Sequence, residues 1–177
     1  MLVTVSGPPG SGTTTTSTLV AARLGVDILP GGAVFRAMAH ERGMSLAAFG
    51  AYAAEHPEVD VELDARLAKR ARAGGVLIES RLAGWIARHE GLDAVTTYLE
   101  CPPGVRAARV AEREGIDVAR AVADNAERER VERRRYLALY GIDIEDRSVY
   151  DLVLDSRARR PPELADQIAA AARARFG

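Results

Sequence analysis

Short apolar runs alternate with longer amphipathic segments along most of this chain. The runs are rich in β-branched residues and cover positions 2–5, 26–29, 76–78, 95–99 and 150–154. Their lack of polar alternation is typical of strands that are buried on both faces. In the segments between them, apolar residues recur every three or four positions, which indicates helices. The pattern therefore predicts an α/β fold, with helices on both faces of a five-stranded parallel sheet.

Glycine and proline mark the expected helix ends. Gly25 follows a segment with Leu19, Val20 and Leu24 at helical spacing, as a C-cap glycine does. Prolines at 57, 102–103 and 161–162 stand where three later helices should begin, since the first helical turn tolerates a missing N–H.

Two stretches interrupt the alternation of strands and helices. Residues 33–73 contain only helical patterns between the second and third strands, which is more than one crossover helix needs. Residues 113–140 are dense in arginine and glutamate. We interpret both as insertions on one domain that spans residues 1–177, with no internal repeat or linker.

Composition narrows the class of protein. The chain has 177 residues, of which 47% are hydrophobic and 28% charged, as in a globular domain. Its 24 basic and 25 acidic residues leave a net charge of -1, so no basic excess points to nucleic acid or anionic lipid. Cys101 is the single cysteine, which excludes an intramolecular disulfide. No apolar run approaches the roughly 20 residues of a membrane span, and we expect a cytoplasmic protein.

Residues 7–14 read G-P-P-G-S-G-T-T and follow the first strand directly. This is the phosphate-loop spacing G-x-x-x-x-G-K-[ST], except that Thr13 replaces the lysine. Such glycines let backbone N–H groups surround phosphates at the positive end of the next helix, and Thr14 would offer a hydroxyl to Mg²⁺. The alternative is a Gly/Pro turn that merely joins a strand to a helix.

The replacement by Thr13 has two interpretations. The lysine of this motif normally supplies positive charge to the β- and γ-phosphates. Lys69, inside a predicted helix, is the only lysine in the chain, whereas arginines are abundant. Either arginines supply that charge, or the site binds nucleotide without catalysis.

The third strand ends in Glu79-Ser80-Arg81, at the edge of the sheet where open α/β proteins bind ligands. Glu79 would orient Mg²⁺ through water and Arg81 would hold a substrate phosphate. The alternative is an ordinary ion pair at the strand end.

These residues resemble a family, the nucleoside monophosphate kinases, and within it the cytidylate kinases of the archaeal type. The most specific stretches are E-S-R-L-A-G-W at 79–85 and Y-G-I-D-I at 140–144. Further similarity covers 31–39, 41–46, 56–60, 111–117, 135–136 and 150–153, so it extends over nearly the whole chain.

The resemblance implies a three-layer P-loop fold with a nucleoside-monophosphate-binding insertion at about 33–73 and an arginine-rich lid at about 113–140. It implies transfer of a phosphoryl group from ATP, with Mg²⁺, to CMP or dCMP. Arg36 and Arg81 would bind the acceptor phosphate, Arg135 would join them, and Arg128 would face the ATP phosphates. Glu132 would contact the base. The residues expected to bind ATP are Gly7, Pro8, Pro9, Gly10, Ser11, Gly12, Thr13, Thr14 and Thr15.

Two positions depart from the bacterial relatives of that family. Gly31 and Leu82 stand where the bacterial enzymes use a serine at the cytosine and an aspartate after the phosphate-binding arginine. The sequence therefore identifies no residue that contacts the cytosine ring, and the preference between CMP, dCMP and UMP stays open.

The sequence speaks against several other functions and leaves two of them open. The charged stretch 127–135 by itself is typical of a solvated helix with i,i+4 ion pairs, and it lacks the interleaved aromatic residues of a nucleic-acid-binding surface. A GTPase needs an N-K-x-D motif, which the chain does not contain. The three histidines show no metal-ligand spacing. Another small-molecule kinase and a non-catalytic nucleotide-binding protein remain as alternatives, and we expect a monomer or a weak homo-oligomer.

Overall fold

Five strands form the centre of the computed structural model, which describes residues 1–177 apart from the side chain of Ala47. The strands are β1 (Leu2–Ser6), β2 (Asp27–Pro30), β3 (Val76–Glu79), β4 (Val95–Glu100) and β5 (Leu152–Asp155). The helices described are α1 (Thr13–Leu24), α2 (Gly31–Glu41), α3 (Leu46–Glu55), α4 (Glu58–Arg72), α5 (Ala83–His89), α6 (Pro103–Glu114), α7 (Val118–Tyr140) and α8 (Pro161–Phe176).

The strand order is β2-β3-β1-β4-β5, and every neighbouring pair is parallel. This confirms the predicted α/β fold with a five-stranded parallel sheet. β1 lies between β3 and β4, so the chain leaves β1 towards one edge of the sheet and later returns to its other side. Ligands in open α/β sheets bind at such a reversal, beyond the carboxyl ends of the strands.

Helices pack on both faces of the sheet, because alternate strand residues point to opposite sides. Val3 and Val5 of β1 pack with Leu77 of β3 against α1 and α8. Val76 and Ile78 of β3 point the other way and join the core formed with α2–α5. All five of these side chains are at most 1% exposed. The fold therefore has the expected three layers.

Both long helical stretches have well-defined ends. α2, α3 and α4 follow one another between β2 and β3, and the Ser45 hydroxyl caps α3 by accepting the Ala48 N–H at 3.2 Å. The Asp117 carboxylate begins α7 in the same way, at 2.8 Å from the Ala119 nitrogen. Gly141 ends α7 with a φ of 67°, in the left-handed region that glycine adopts most easily.

The start of the fifth strand was predicted wrongly, at residue 150 instead of Leu152. Asp151 explains the difference, since its carboxylate accepts the backbone N–H of Thr96 at 2.8 Å and its own N–H donates to the Thr96 hydroxyl at 3.0 Å. Side-chain hydrogen bonds thus replace the first rung of the β-ladder. In the chain as described, no helix has the length and apolar composition needed to cross a membrane.

Gly84→Ala is expected to lower the free energy of unfolding by about 1–3 kcal/mol, the usual range for overpacking a core. A Cβ at this position would lie 2.3 Å from Cε1 of the Tyr150 ring, which is buried. Gly104→Ala is the matched control, because a Cβ there meets nothing within 4 Å and alanine favours a helix by about 0.5–1 kcal/mol. Urea unfolding of both variants measures the contrast, and equal stabilities would contradict it.

Candidate active site

The phosphate loop turns sharply between β1 and α1. Gly10 and Gly12 have φ angles of 79° and 87°, a region that other residues rarely adopt. A Cβ on Gly10 would lie 2.6 Å from the Arg106 carbonyl oxygen, so a larger residue does not fit. The Ser11 N–H donates to the Pro8 carbonyl oxygen at 3.1 Å and closes the turn. The start of α1 is thereby held beside the carboxyl end of β1.

The N-terminus of α1 is suited to binding an anion. Within the described part of the chain, no side chain caps Gly12 and no acidic residue lies in the first turn of the helix. The first N–H groups of a helix have no partner inside it, and the helix dipole makes this end positive. A phosphate can therefore accept hydrogen bonds here without displacing a carboxylate cap.

Glu79, at the end of β3, faces the two threonines that begin α1. Its Oε1 accepts the Thr13 hydroxyl at 2.8 Å and the Thr14 hydroxyl at 3.1 Å. Arg81 forms its contacts elsewhere, and the described residues place no cation within ion-pair distance of Glu79. Glu79 itself therefore forms no ion pair among the described residues, whereas Arg81 pairs with Glu132 at 2.7 Å, and the magnesium and phosphate roles of the two residues stay predictions.

Arg81 and Arg128 share one carboxylate. Nε of Arg81 donates to Oε2 of Glu132 at 2.7 Å, and Nε of Arg128 donates to Oε1 at 2.8 Å. Arg81 also donates to the Gly7 carbonyl oxygen in the phosphate loop. The Glu132 side chain is 9% exposed, so both of its oxygens are used inside the protein. One carboxylate of α7 thus fixes two guanidinium groups beside the loop.

A second carboxylate lies beside Arg135, one turn further along α7. Nε of Arg135 is 2.9 Å from Oδ2 of Asp60, but its N–H is not directed at that oxygen, and the pair forms no hydrogen bond. Burial raises the pKa of Asp60, while the positive charge of Arg135 opposes that rise. The contact brings α4 against α7 across the site.

These side chains surround a cavity of about 580 Å³ in front of the phosphate loop. Most of the loop lines it, together with Glu79 and the predicted residues Arg36, Arg81, Arg128, Glu132 and Arg135. Ser11 and Gly12 of the loop do not belong to the lining. Arg36 reaches it from α2 and is exposed, with no carboxylate within ion-pair distance among the residues described. Thr15 does not belong to the group, because its side chain is exposed on α1 outside the cavity lining.

A larger cavity of about 900 Å³ lies between α7 and the ends of β4 and β5. Arg147 in its wall stacks over the Tyr98 ring, 3.7 Å from the centroid. The two cavities meet at residues that line both, namely Gly7, Pro8, Arg81 and Glu132. The molecule therefore offers two binding spaces that join at the phosphate loop.

Asp64 is a site residue that the sequence analysis did not identify. It lies one turn after Asp60 on α4, lines the smaller cavity, and accepts the Tyr140 hydroxyl at 2.8 Å on Oδ2. Burial raises the pKa of Asp64 to about 6, against the effect of the Tyr140 hydrogen bond, and the charge of Asp60 adds to the rise. A signal was present, since both aspartates directly follow the apolar positions Val59 and Leu63 and so border the buried face of α4.

Asp64→Asn is expected to raise the free energy of unfolding at pH 7 by about 1–3 kcal/mol. The carboxyl has a pKa of about 6 in the folded chain against an ordinary value of 3.8, so its ionisation destabilises the fold increasingly from pH 4 to pH 6 and fully above that range. Asparagine keeps an oxygen for the Tyr140 hydroxyl. Urea unfolding at pH 7 and at pH 4.5 measures the gain, which should be smaller at pH 4.5; no gain at pH 7 would contradict the assignment.

Comparison with known proteins shows which family this chain resembles. Residues 3–135 match the family model described as an AAA domain. A curated protein of Pyrococcus horikoshii named cytidylate kinase is 48% identical over 161 residues, which are 91% of this chain and 82% of the relative.

Solved structures show the same fold at low sequence identity. An uncharacterized protein from Eubacterium ventriosum superposes with a TM-score of 0.75 at 14% identity, covering 99% of both chains. Shikimate kinase from Acinetobacter baumannii, solved with shikimate, gives a TM-score of 0.64 at 14% identity and covers 99% of this chain and 94% of its own. With a phosphate loop, two joined cavities and a curated relative at 48% identity, this chain belongs to the cytidylate kinase family.

Proposed function

We propose that this protein transfers the γ-phosphoryl group of ATP to CMP or dCMP, giving ADP and CDP or dCDP. The curated relatives named cytidylate kinase support the reaction class and the acceptor. Kinases of this family use ATP as phosphoryl donor. The resemblance found in the sequence leads to the same reaction.

The observation that carries the proposal is the junction of the two cavities at the phosphate loop. A kinase must hold two substrates so that the acceptor oxygen lies in line with the transferred phosphorus. The loop and Arg81 border both spaces. We assign the donor nucleoside to the larger cavity and the acceptor to the smaller one, with the reacting phosphates between them.

Arginines take over the charge of the missing lysine in this proposal. The backbone N–H groups of residues 7–14 hold the donor phosphates at the start of α1. Thr13 has only a hydroxyl, which donates to Glu79. Arg128, held beside the loop by Glu132, then faces the phosphoryl group in transfer, where negative charge spreads over the equatorial oxygens.

The acceptor phosphate is bound by Arg36 and Arg81, with Arg135 completing the set. Arg36 has no competing carboxylate in the described structure, so its charge is available to a substrate. Each guanidinium can donate two parallel hydrogen bonds to a phosphate. Glu132, with both oxygens occupied by Arg81 and Arg128, acts here as a positioning residue, and its predicted contact with the base stays a prediction.

The residues at the start of α1 fit a magnesium ion. Thr14 offers a hydroxyl and Glu79 a carboxylate 3.1 Å apart, and oxygen ligands are those that Mg²⁺ prefers. Among the described residues no group of three acidic, histidine or cysteine side chains forms a metal cage, which suits an ion held mainly by phosphates and water. When bound, Mg²⁺ neutralises charge on the β- and γ-phosphates.

No side-chain base is required for this transfer. An oxygen of the acceptor phosphate is already ionised and forms the new bond to the γ-phosphorus, while the bond to the β–γ bridging oxygen breaks and ADP leaves. The residues of the site contribute positioning and positive charge. The monomeric or weakly oligomeric state and the cytoplasmic location stay predictions.

Purified protein is expected to release ADP from ATP and Mg²⁺ with CMP or dCMP as acceptor. A coupled ADP assay over CMP, dCMP, UMP and AMP measures kcat/KM for each, and chelation of the metal should stop turnover with all of them. A higher kcat/KM for UMP or AMP would contradict the acceptor. Absence of turnover with every nucleotide would favour a nucleotide-binding protein without catalysis, the alternative that Thr13 suggests.

Arg128→Ala is expected to lower kcat by about 10²–10³, the usual loss when one preorganised donor to the transition state is removed. The KM for CMP should change little, because Arg36 and Arg81 remain. Arg120→Ala is the matched control, since this arginine lies on the same helix and pairs only with Asp124, at 3.5 Å. Steady-state rates of the two variants measure this difference. A fully active Arg128→Ala enzyme would exclude Arg128 as the replacement for the missing lysine.

A further inference from the structure

The acceptor cavity contains a compartment that the phosphate-binding arginines do not fill. Phe35 from α2, Ala53 from α3 and Leu63 from α4 form apolar walls in the cavity lining. The Phe35 ring is held against buried Phe49, with 4.7 Å between the centroids. Apolar walls of this kind suit the faces of a flat ring.

The same compartment has an acidic edge. Asp60 and Asp64 both line the cavity from successive turns of α4. Asp60 is 6% exposed; its buried Oδ2 lies 2.9 Å from Nε of Arg135, and its Oδ1 accepts no hydrogen bond from the described residues. Asp64 gives one oxygen to Tyr140, which fixes the direction of the carboxylate and leaves the other oxygen without a protein donor. Two carboxylates therefore offer acceptors, and no donors, to whatever lies between the apolar walls.

We propose that Asp60 and Asp64 recognise cytosine by accepting the two N–H groups of its 4-amino substituent. This inference rests on the proposed function and names the residues that select its acceptor. Carboxylates are suitable acceptors for the cytosine amino group. Neither the sequence motifs nor the names of the relatives assign these two aspartates to the base.

The spacing of the two aspartates suits one amino group. Two N–H bonds that diverge by about 120°, each about 2.9 Å from nitrogen to oxygen, need acceptors about 5 Å apart. Side chains at i and i+4 on a helix have Cβ atoms about 5–6 Å apart. One turn of α4 thus places the two side chains close enough for an oxygen of each to reach one amino group.

Uracil is rejected by the same edge. It carries a carbonyl oxygen in place of the amino group, so its lone pairs would face two carboxylates with no proton between them. A site built to bond an N–H group rejects an analogue that lacks it far more strongly than an apolar pocket rejects a missing methylene. The aspartates therefore supply selection against UMP, besides affinity for CMP.

Retention of these carboxylates agrees with such a role. Burial raises the pKa of both groups, so each costs the fold stability when ionised. Replacement by asparagine would preserve shape and relieve that cost. Residues that destabilise the fold while facing a binding cavity are characteristic of functional sites.

The test compares kcat/KM for CMP and for UMP in Asp60→Asn, Asp64→Asn and the unaltered protein. We expect each substitution to lower the value for CMP at least tenfold and to leave that for UMP equal or higher, so that the CMP/UMP ratio falls by about 10²-fold for Asp64→Asn. Glu62→Gln is the control, because this α4 carboxylate lies outside the cavity lining and pairs with Arg42 at 2.5 Å and Arg66 at 2.7 Å. Its ratio should not change.

A substrate analogue separates direct recognition from a structural role. Pyrimidin-2-one ribonucleoside monophosphate lacks the 4-amino group, so Asp64→Asn should affect its kcat/KM much less than that of CMP. Tyr140→Phe removes the hydrogen bond to Asp64 but keeps the carboxylate, and it should preserve a preference for CMP. Equal losses for CMP, UMP and the analogue in Asp64→Asn would overturn the inference and assign the aspartates to fixing α4 against α7.

Calorimetric binding of CMP and UMP distinguishes this inference from the proposed function. Selective binding of CMP that disappears in Asp64→Asn, in a protein without turnover, would overturn the kinase and retain the recognition. A working CMP kinase whose CMP/UMP ratio is unchanged by both substitutions would retain the kinase and overturn the recognition. Asp64→Asn is expected to stabilise the fold, so loss of structure does not complicate the results for that variant.

Discussion

The buried carboxylate of Glu132 is the interaction on which the candidate site depends. Two arginines next to one another repel, and the Arg128 side chain is 60% exposed, so nothing else would hold it beside the phosphate loop. Glu132 accepts a hydrogen bond from each guanidinium group, which keeps the two close together and oriented. Removal of such a buried carboxylate would leave the charge of its arginine partners uncompensated, whereas an exposed ion pair contributes little to stability. Preorganised positive charge is what a phosphoryl transfer needs from a protein.

That carboxylate acts only because the sheet brings distant segments together. Arg81 follows β3, Gly7 follows β1, and these strands are neighbours in the order β2-β3-β1-β4-β5. Val5 and Glu79 lie opposite each other in the register, so the phosphate loop and the end of β3 emerge side by side. The cores on both faces of the sheet fix this edge, and α7 then lies across it. The strand order places Arg81 next to the loop backbone, and Glu132 joins it to Arg128, the arginine that we propose compensates for the missing lysine.

On the acidic side of the cavity, the carboxylates are poorly compensated by positive charge. Asp60 and Asp64 are buried with raised pKa values and receive limited compensation, from Arg135 and Tyr140 respectively. Their ionisation therefore lowers the stability of the fold, whereas Glu132 orients two arginine side chains. Both effects come from α4 and α7, the helices that face one another across the acceptor space. Binding of a phosphate by arginines and recognition of a base by carboxylates would thus use opposite charges within one cavity.

The sequence by itself determined the features that depend on neighbouring residues. Apolar runs and helical periodicity predicted all five strands and the three-layer fold, and the glycines of residues 7–14 predicted the phosphate loop, because backbone conformation there is a local property. The start of the fifth strand, predicted at residue 150, depends on a hydrogen bond between Asp151 and Thr96, which are 55 positions apart. Local sequence patterns do not predict a contact between residues so far apart in the chain.

Only the tertiary structure decided which charged residues meet. The α7 segment carries arginine and glutamate at many spacings, and each could form an i,i+4 pair on a solvated helix. Arg128 and Glu132 form one such local pair, and the packing of α7 over the phosphate loop adds Arg81 as the second partner of Glu132. The rotation of α4 turns Asp60 and Asp64 towards the cavity. The strength of an ion pair depends on burial and on the geometry of groups far apart in the chain, and both arise only when the elements pack.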